Sequence, residues 1–199
     1  MLSLIALSLF GCDFPRPRID GVSLQALSAS AIPEFVRLTN QGRPRLHNGD
    51  YPQEYLRIAL ATSYDFAQVD LRKYIPASGA FWFCGAYDQR FLSGGGDLSG
   101  IYVTDERNEI LEVRNYSARV QSGQWRGGEV HPYLLFQVQR VPGEERNHRE
   151  PPLPPYDLRA VPADLCIQLV GILPPEALVR SNTFRISREA IAKALAPRP

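Results

Sequence analysis

The chain has 199 residues, enough for one domain or two small ones and for a core that needs no metal to hold it. Apolar residues make up 44% and charged residues 22%, as in an ordinary soluble globular domain. A net charge of +1, from 22 basic and 21 acidic residues, excludes the basic excess of a nucleic-acid binder, and a single Met excludes a Met-rich adaptable groove.

The first element in chain order is the apolar run of residues 1–11, closed by Cys12, Asp13 and the prolines Pro15 and Pro17. A membrane-spanning helix needs about 20 apolar residues, so this run is too short to span. A buried first strand is disfavoured because the two prolines remove ladder donors just after it. The run fits the apolar core of a signal peptide. Leu9-Phe10-Gly11-Cys12 then resembles the lipobox of bacterial lipoproteins, in which Gly or Ala precedes the cysteine that receives lipid. It departs from that pattern in the bulk of Phe10 and in having no Lys or Arg ahead of the run. The resemblance implies cleavage before Cys12, lipidation of Cys12 (palmitate among its acyl chains) and attachment to a membrane of the bacterial envelope, facing the periplasm. Asp13 resembles an inner-membrane retention signal in enteric bacteria, but other groups read other positions, so inner and outer membrane both stay open. The expected organisation is a cleaved signal peptide over 1–11, a Pro-containing tether over 12–20 and a single β domain over 21–199.

With Cys12 assigned to lipid, Cys84 and Cys166 remain as an even pair. An oxidising periplasm permits a disulfide between them, closing a loop of about 80 residues for roughly 4–5 kcal/mol in the loop-entropy account. Two buried thiols or one reactive thiol are the other states. The last would need a charge nearby that lowers its pKa, and none is local.

Residues 21–28 and 54–66 alternate apolar and polar side chains and predict half-buried strands, with Leu56, Ile58, Leu60 and Thr62 on one face of the second. Residues 33–40 repeat the pattern, with Phe35 or Val36 inward, and 41–52 reads as a loop. Residues 79–87 are apolar on both faces and predict a central strand in which Trp82 and Cys84 point the same way. A glycine loop follows at 92–100, then a hairpin over 100–113 with Ile101 and Val103 inward, and a bulge near Asn115. Residues 122–132 form a further loop. Residues 133–141 predict a strand burying Leu134, Phe136 and Val138. The charged, proline-rich 142–162 reads as a surface excursion. Residues 163–172 and 182–187 predict the last strands. A terminal helix starts at the Ser187 cap, carries Glu189 in its first turn and an apolar stripe of Ala190, Ile191, Ala194 and Leu195, and ends at Pro197. Eight or nine short strands with one helix predict a mainly β fold, an antiparallel β-sandwich.

The sequence offers little catalytic chemistry. There is no G-x-S-x-G, no H-E-x-x-H and no paired C-x-x-C, and His47, His131 and His148 all fall in predicted loops. The glycine loop around Gly94–Gly96 lacks a G-K-[ST] ending. No catalytic residue, metal or cofactor is expected. A sandwich hides its inner faces, so recognition falls to end loops or to an exposed sheet edge. Trp125 beside Arg126 has the composition of a binding hot spot, although Trp125 plugging one end of the sandwich is the plainer reading. Arg146, His148 and Arg149 precede a run of prolines that lowers the entropy cost of ordering on binding. These five residues are the candidate partner-binding set, with the 144–156 segment. The expected role is a lipid-anchored protein-binding module, in its specific form an immunity protein or inhibitor against a periplasmic toxin. Two further roles are an accessory subunit of an envelope or secretion assembly, and an enzyme on an envelope substrate with separated carboxylates such as Asp97 and Glu129. Besides the membrane, reached through the N-terminal lipid, the expected partner is a protein and not a nucleic acid.

Overall fold

The computed structural model describes residues 18–28, 54–62, 75–85, 101–104, 110–112, 122–123, 131–140, 155–173 and 177–197. Among them the protein is mainly β, with nine strands in two antiparallel sheets, a short two-stranded ribbon and one C-terminal helix.

The first sheet runs β1 (Ile19–Ser28), β2 (Glu54–Thr62), β6 (His131–Gln137), β4 (Tyr102–Thr104), β5 (Ile110–Glu112). The second is centred on β9 (Leu165–Leu173). One side of β9 takes β3 (Ile75–Phe83); the other takes β10 (Ala177–Arg180) and then β11 (Phe184–Ile186). The ribbon pairs β7 (Gln139–Arg140) with β8 (Tyr156–Asp157).

Period-two patterning puts one row from each sheet into a common core: Leu56, Ile58 and Leu60 of β2, Leu134 and Phe136 of β6, Phe81 of β3, and Leu165, Ile167 and Leu169 of β9. The Phe81 and Phe136 rings meet across the sheets with centroids 5.0 Å apart. Two facing sheets that share one core make the expected sandwich. At Gly79 the two sheets approach too closely for a side chain, since a Cβ there would lie 2.8 Å from Leu134 Cδ1.

The helix α1 (Arg188–Leu195) starts at Ser187, whose side chain accepts the Ala190 N–H at 3.2 Å. Ile191 and Leu195 enter the core and Ala194 packs against it, whereas Ala190 is exposed and is not part of the apolar stripe.

Four expectations need correction. The strand of 79–87 was expected at a sheet centre; among the described residues β3 pairs only with β9, and β9 is the central strand. β6 buries both its rows: Tyr133 and Leu135 pack with Tyr55, Leu27 and Ala59 in a cluster apart from the one that holds Leu134 and Phe136, and the Arg57 guanidinium lies over the Tyr133 ring. The start of β6 at His131 takes that histidine and Pro132 out of the predicted loop. The end of the 142–162 excursion is folded: Tyr156 stacks on Phe136 at 5.7 Å and meets Phe83 edge-on at 5.4 Å, and Leu158 is buried. Aromatic packing, which local proline content does not reveal, draws this segment inward. In addition, β10 forms from Ala177–Arg180, for which no strand was expected.

Candidate functional site

Cys84 and Cys166 are joined by a disulfide, with Cα atoms 5.2 Å apart. Trp82 lies opposite Cys166 in the β3–β9 register, and the Cys84 N–H donates to the Asp164 carbonyl at 2.9 Å, so the bridge crosses diagonally between neighbouring strands. Ala80, Trp82, Cys84, Cys166 and Val170 form an apolar cluster on the face of the second sheet away from the core. Gly85, at φ +81°, then turns the chain out of β3 in a conformation that suits glycine.

The remaining expected site residues fall elsewhere. Cys12, Trp125, Arg126, Arg146, His148 and Arg149 lie outside the described residues, as do Phe35, Val36, His47, Gly94–Gly96, Asp97, Asn115 and Glu129. His131 opens β6 and is exposed. Among the described residues no group of three His, Cys, Asp or Glu side chains stands close enough to hold a metal ion, and no helix is long and apolar enough to cross a membrane.

What the described residues do present is a contrast in main-chain pairing around the Ser181–Thr183 link between β10 and β11. That link adds one residue relative to β9: Arg180 pairs with Val170, but Phe184 pairs with Ile167. Leu169 would be left without a strand partner there. Ser181, itself buried, supplies one: its N–H donates to the Leu169 carbonyl and its Oγ accepts the Leu169 N–H, both at 2.9 Å. Its hydroxyl then donates to the Asn182 carbonyl at 2.8 Å. Gln168 Nε2 adds bonds to the Ser181 carbonyl at 3.3 Å and Thr183 Oγ1 at 3.0 Å.

The next residue reaches the other sheet. Asn182 Oδ1 accepts the Ile19 N–H at 2.8 Å, and its Nδ2 donates to the Ile19 carbonyl at 2.9 Å. A side-chain amide thus stands in for a neighbouring strand at the start of β1, a use open to Asn because it offers donor and acceptor together. At the far end of the β1–β2 pair, Ser28 is opposite Glu54. Arg159 clamps Glu54 with Nε at 2.7 Å and Nη2 at 2.6 Å, while its Nη1 donates to the Leu195 carbonyl at the C-terminus of α1. The Glu54 hydrogen bond holds the Arg159 guanidinium pKa above its ordinary value. The bidentate geometry and the cation at a helix C-terminus both favour this link. The C-terminal segment is therefore tied to both ends of the β1–β2 pair.

Between those ties, among the described residues, β1 is paired by a strand on one side, and α1 packs beside it. β1 is the terminal strand of its sheet, and among the described residues no strand pairs with it opposite β2. Its inward row, Val22, Leu24 and Ala26, is only half-buried, while the adjacent inward row of β2 is 0%, 0% and 7% exposed at Leu56, Ile58 and Leu60. Ser23 and Gln25 face outward and are exposed. Sequence reasoning had named a sheet edge as one possible place of recognition but did not locate it. The available signal was a period-two strand over 21–28 that contains no charge and no proline.

No family model, no curated protein and no solved structure matches the chain.

Proposed function

We propose that the chain is a lipid-anchored protein of the bacterial envelope, facing the periplasm, that works by binding another protein. Its specific form is immunity to, or inhibition of, a periplasmic toxin. The observation that carries the anchoring is Leu9-Phe10-Gly11-Cys12 at the end of an uncharged run. The disulfide supports the compartment: once Cys12 is set aside, the other two cysteines are bonded to each other, as an oxidising space permits. The spacing supports a short leash. Ile19 follows Cys12 by seven residues (19 − 12), at most ~25 Å of extended chain, so the start of β1 stays near the bilayer. More than one acyl chain on Cys12 makes that attachment stable.

Membrane fractionation and labelled palmitate test the anchor. The parent chain is expected in the membrane fraction carrying label, and Cys12→Ser is expected unprocessed at this site and unlabelled. An unlipidated soluble protein retaining residues 1–11 overturns the reading. A neighbouring toxin gene, with protection from that toxin lost on deletion, supports immunity; a secretion operon favours an assembly role instead.

A further inference from the structure

We propose that the Cys84–Cys166 bridge is a redox-sensitive fastening for α1: the start of the helix is fixed once the two thiols have been oxidised and loosens when they are reduced. This rests on the envelope reading above and gives an oxidising compartment a part in shaping the protein. The link runs through one residue, Asp164. Beyond the Phe83–Leu165 pair, where Gly85 turns the chain out of β3, the Cys84 N–H donates to the Asp164 carbonyl at 2.9 Å. The disulfide pins the same place, since Cys166 lies two residues after Asp164. The side chain of Asp164 reaches the other way. Its Oδ1 accepts the Arg188 N–H at 2.8 Å, and its Oδ2 pairs with Arg185. Arg188 is the first residue of α1, and Arg185 belongs to β11, which leads into it. The end of β3, the approach to β9 and the start of α1 therefore meet at Asp164.

The end of a ladder is the part that frays first. With the bridge open, the Cys84–Asp164 contact becomes such an end, and Asp164 is freed to leave Arg188. The Arg188 N–H is one of the donors at a helix start that no helical carbonyl satisfies, so it depends on this carboxylate. The consequence reaches β1, because α1 packs beside it and carries Ile191 and Leu195 into the core against which Val22, Leu24 and Ala26 pack. Exchange has an entry point, since Cys84 is half-buried whereas Cys166 is buried. On oxidation the Cys84 thiolate attacks a sulfur of an incoming disulfide, carried by a protein or a small molecule, and expels one of its thiolates. The Cys166 thiolate then displaces the second. The two cysteines give up two electrons and two protons, and the reagent leaves as its dithiol.

Hydrogen exchange of the full chain in detergent tests this, with dithiothreitol as the reductant and its oxidised form as the reverse reagent. On reduction the amides of Arg188, Ala190 and Ile191 should exchange about tenfold faster or more, while those of the β2–β6 ladder keep their rates. Re-oxidation should restore the slow rates. Cys84→Ser with Cys166→Ser should show the fast rates at α1 without reductant and no response to it. Asp164→Ala should show them with the bridge intact, and reduction should add little. The proposal is overturned if the α1 amides keep their slow rates once both thiols are free, or if every ladder accelerates together, which would make the bridge a staple for the whole fold. It is equally overturned if the folded chain resists excess dithiothreitol, or if Asp164→Ala responds to reduction as fully as the parent. Failure of the envelope reading would appear in fractionation and leave these exchange rates unchanged.

Discussion

β9 and β1 are strands of nearly equal length, nine and ten residues, at opposite extremes of pairing. β9 is bonded on both sides, by β3 along one and by β10 and β11 along the other. Where the latter two part, Ser181 fills the gap. Among the described residues β1 is paired by a strand on one side; on the other, Asn182 bonds to Ile19 and α1 packs beside it. The difference shows how one period-two pattern serves both a central and a terminal strand. Both strands are period-two and both feed the same core. What differs, among the described residues, is how many strands pair with the main chain. Ser181 and Asn182, adjacent in sequence, serve the two cases: the first completes the central strand, the second caps the start of the terminal one.

The disulfide offers the largest test of this contrast, since it ties β9 to β3. Removing a loop closed over 82 residues is expected to cost about 4–5 kcal/mol, less any residual order in the reduced chain. Cys84→Ser with Cys166→Ser should therefore show a much lower urea midpoint than the oxidised parent. No change in midpoint would mean that β9 is held without it.

Side-chain truncation comes next. Ile167 of β9 is fully buried, and Ile167→Ala is expected to cost about 3–4 kcal/mol. Leu24 of β1 sits at the half-buried rim, so Leu24→Ala should cost only about 1 kcal/mol. Equal losses in chemical denaturation would erase the distinction between the two strands.

Ser181→Ala is a finer probe. It removes the acceptor for the buried Leu169 N–H, and an unmatched buried donor costs about 1–3 kcal/mol. Asn182→Ala removes two bonds to the Ile19 main chain, but Asn182 is itself exposed, so water can take the place of its amide and the loss should be smaller. The reverse order would show that β1, not β9, depends on the link.

Much of this architecture was legible in the chain, and for a physical reason. The alternation of Leu56, Ile58 and Leu60 and the spacing of Ser187, Ile191 and Leu195 are local patterns, and local patterns set strand faces and helix caps. Counting, with Cys12 read as the lipidated residue, left Cys84 and Cys166 as an even pair with free thiols as the other states, and they are bonded. Strand order was not legible. β3 and β6 are both apolar on two faces, yet β6 is flanked on both sides and β3, among the described residues, on one, because neighbours are chosen by contacts far apart in sequence. Leu158 and Tyr156 were hidden for the same reason: the Tyr156 ring meets Phe136 and Phe83, and the Leu158 N–H bonds to the Val138 carbonyl. The terminal place of β1 among the described strands is likewise a property of order, so the alternation over 21–28 announced a strand without announcing its place in the sheet.

The smallest expected effect concerns pH, and it acts at the β9 end of the comparison. Asp164 stands just before β9, where its Oδ1 accepts the Arg188 N–H at the start of α1 at 2.8 Å and its Oδ2 pairs with Arg185. The backbone hydrogen bond first, and Arg185 second, hold its carboxyl below the usual aspartate range. Glu189, bonded to its own N–H and to the Ser187 hydroxyl, is lowered as well. A carboxyl with a folded pKa below its unfolded value contributes stability that is fully present above the unfolded value. That stability fades as pH falls through the folded one. The parent should therefore lose stability on acidification from about pH 5 downward, the region in which ordinary Asp and Glu side chains begin to take up protons. Asp164→Asn keeps an acceptor for the Arg188 N–H but has no charge to titrate, so its melting temperature should fall less steeply across that window. Because these side chains border solvent, added salt should shrink the difference between parent and variant. Parallel acid profiles at low salt would remove Asp164 from the groups that fasten α1 to the central strand, and leave Arg159 at the other end of the helix as the tie that matters.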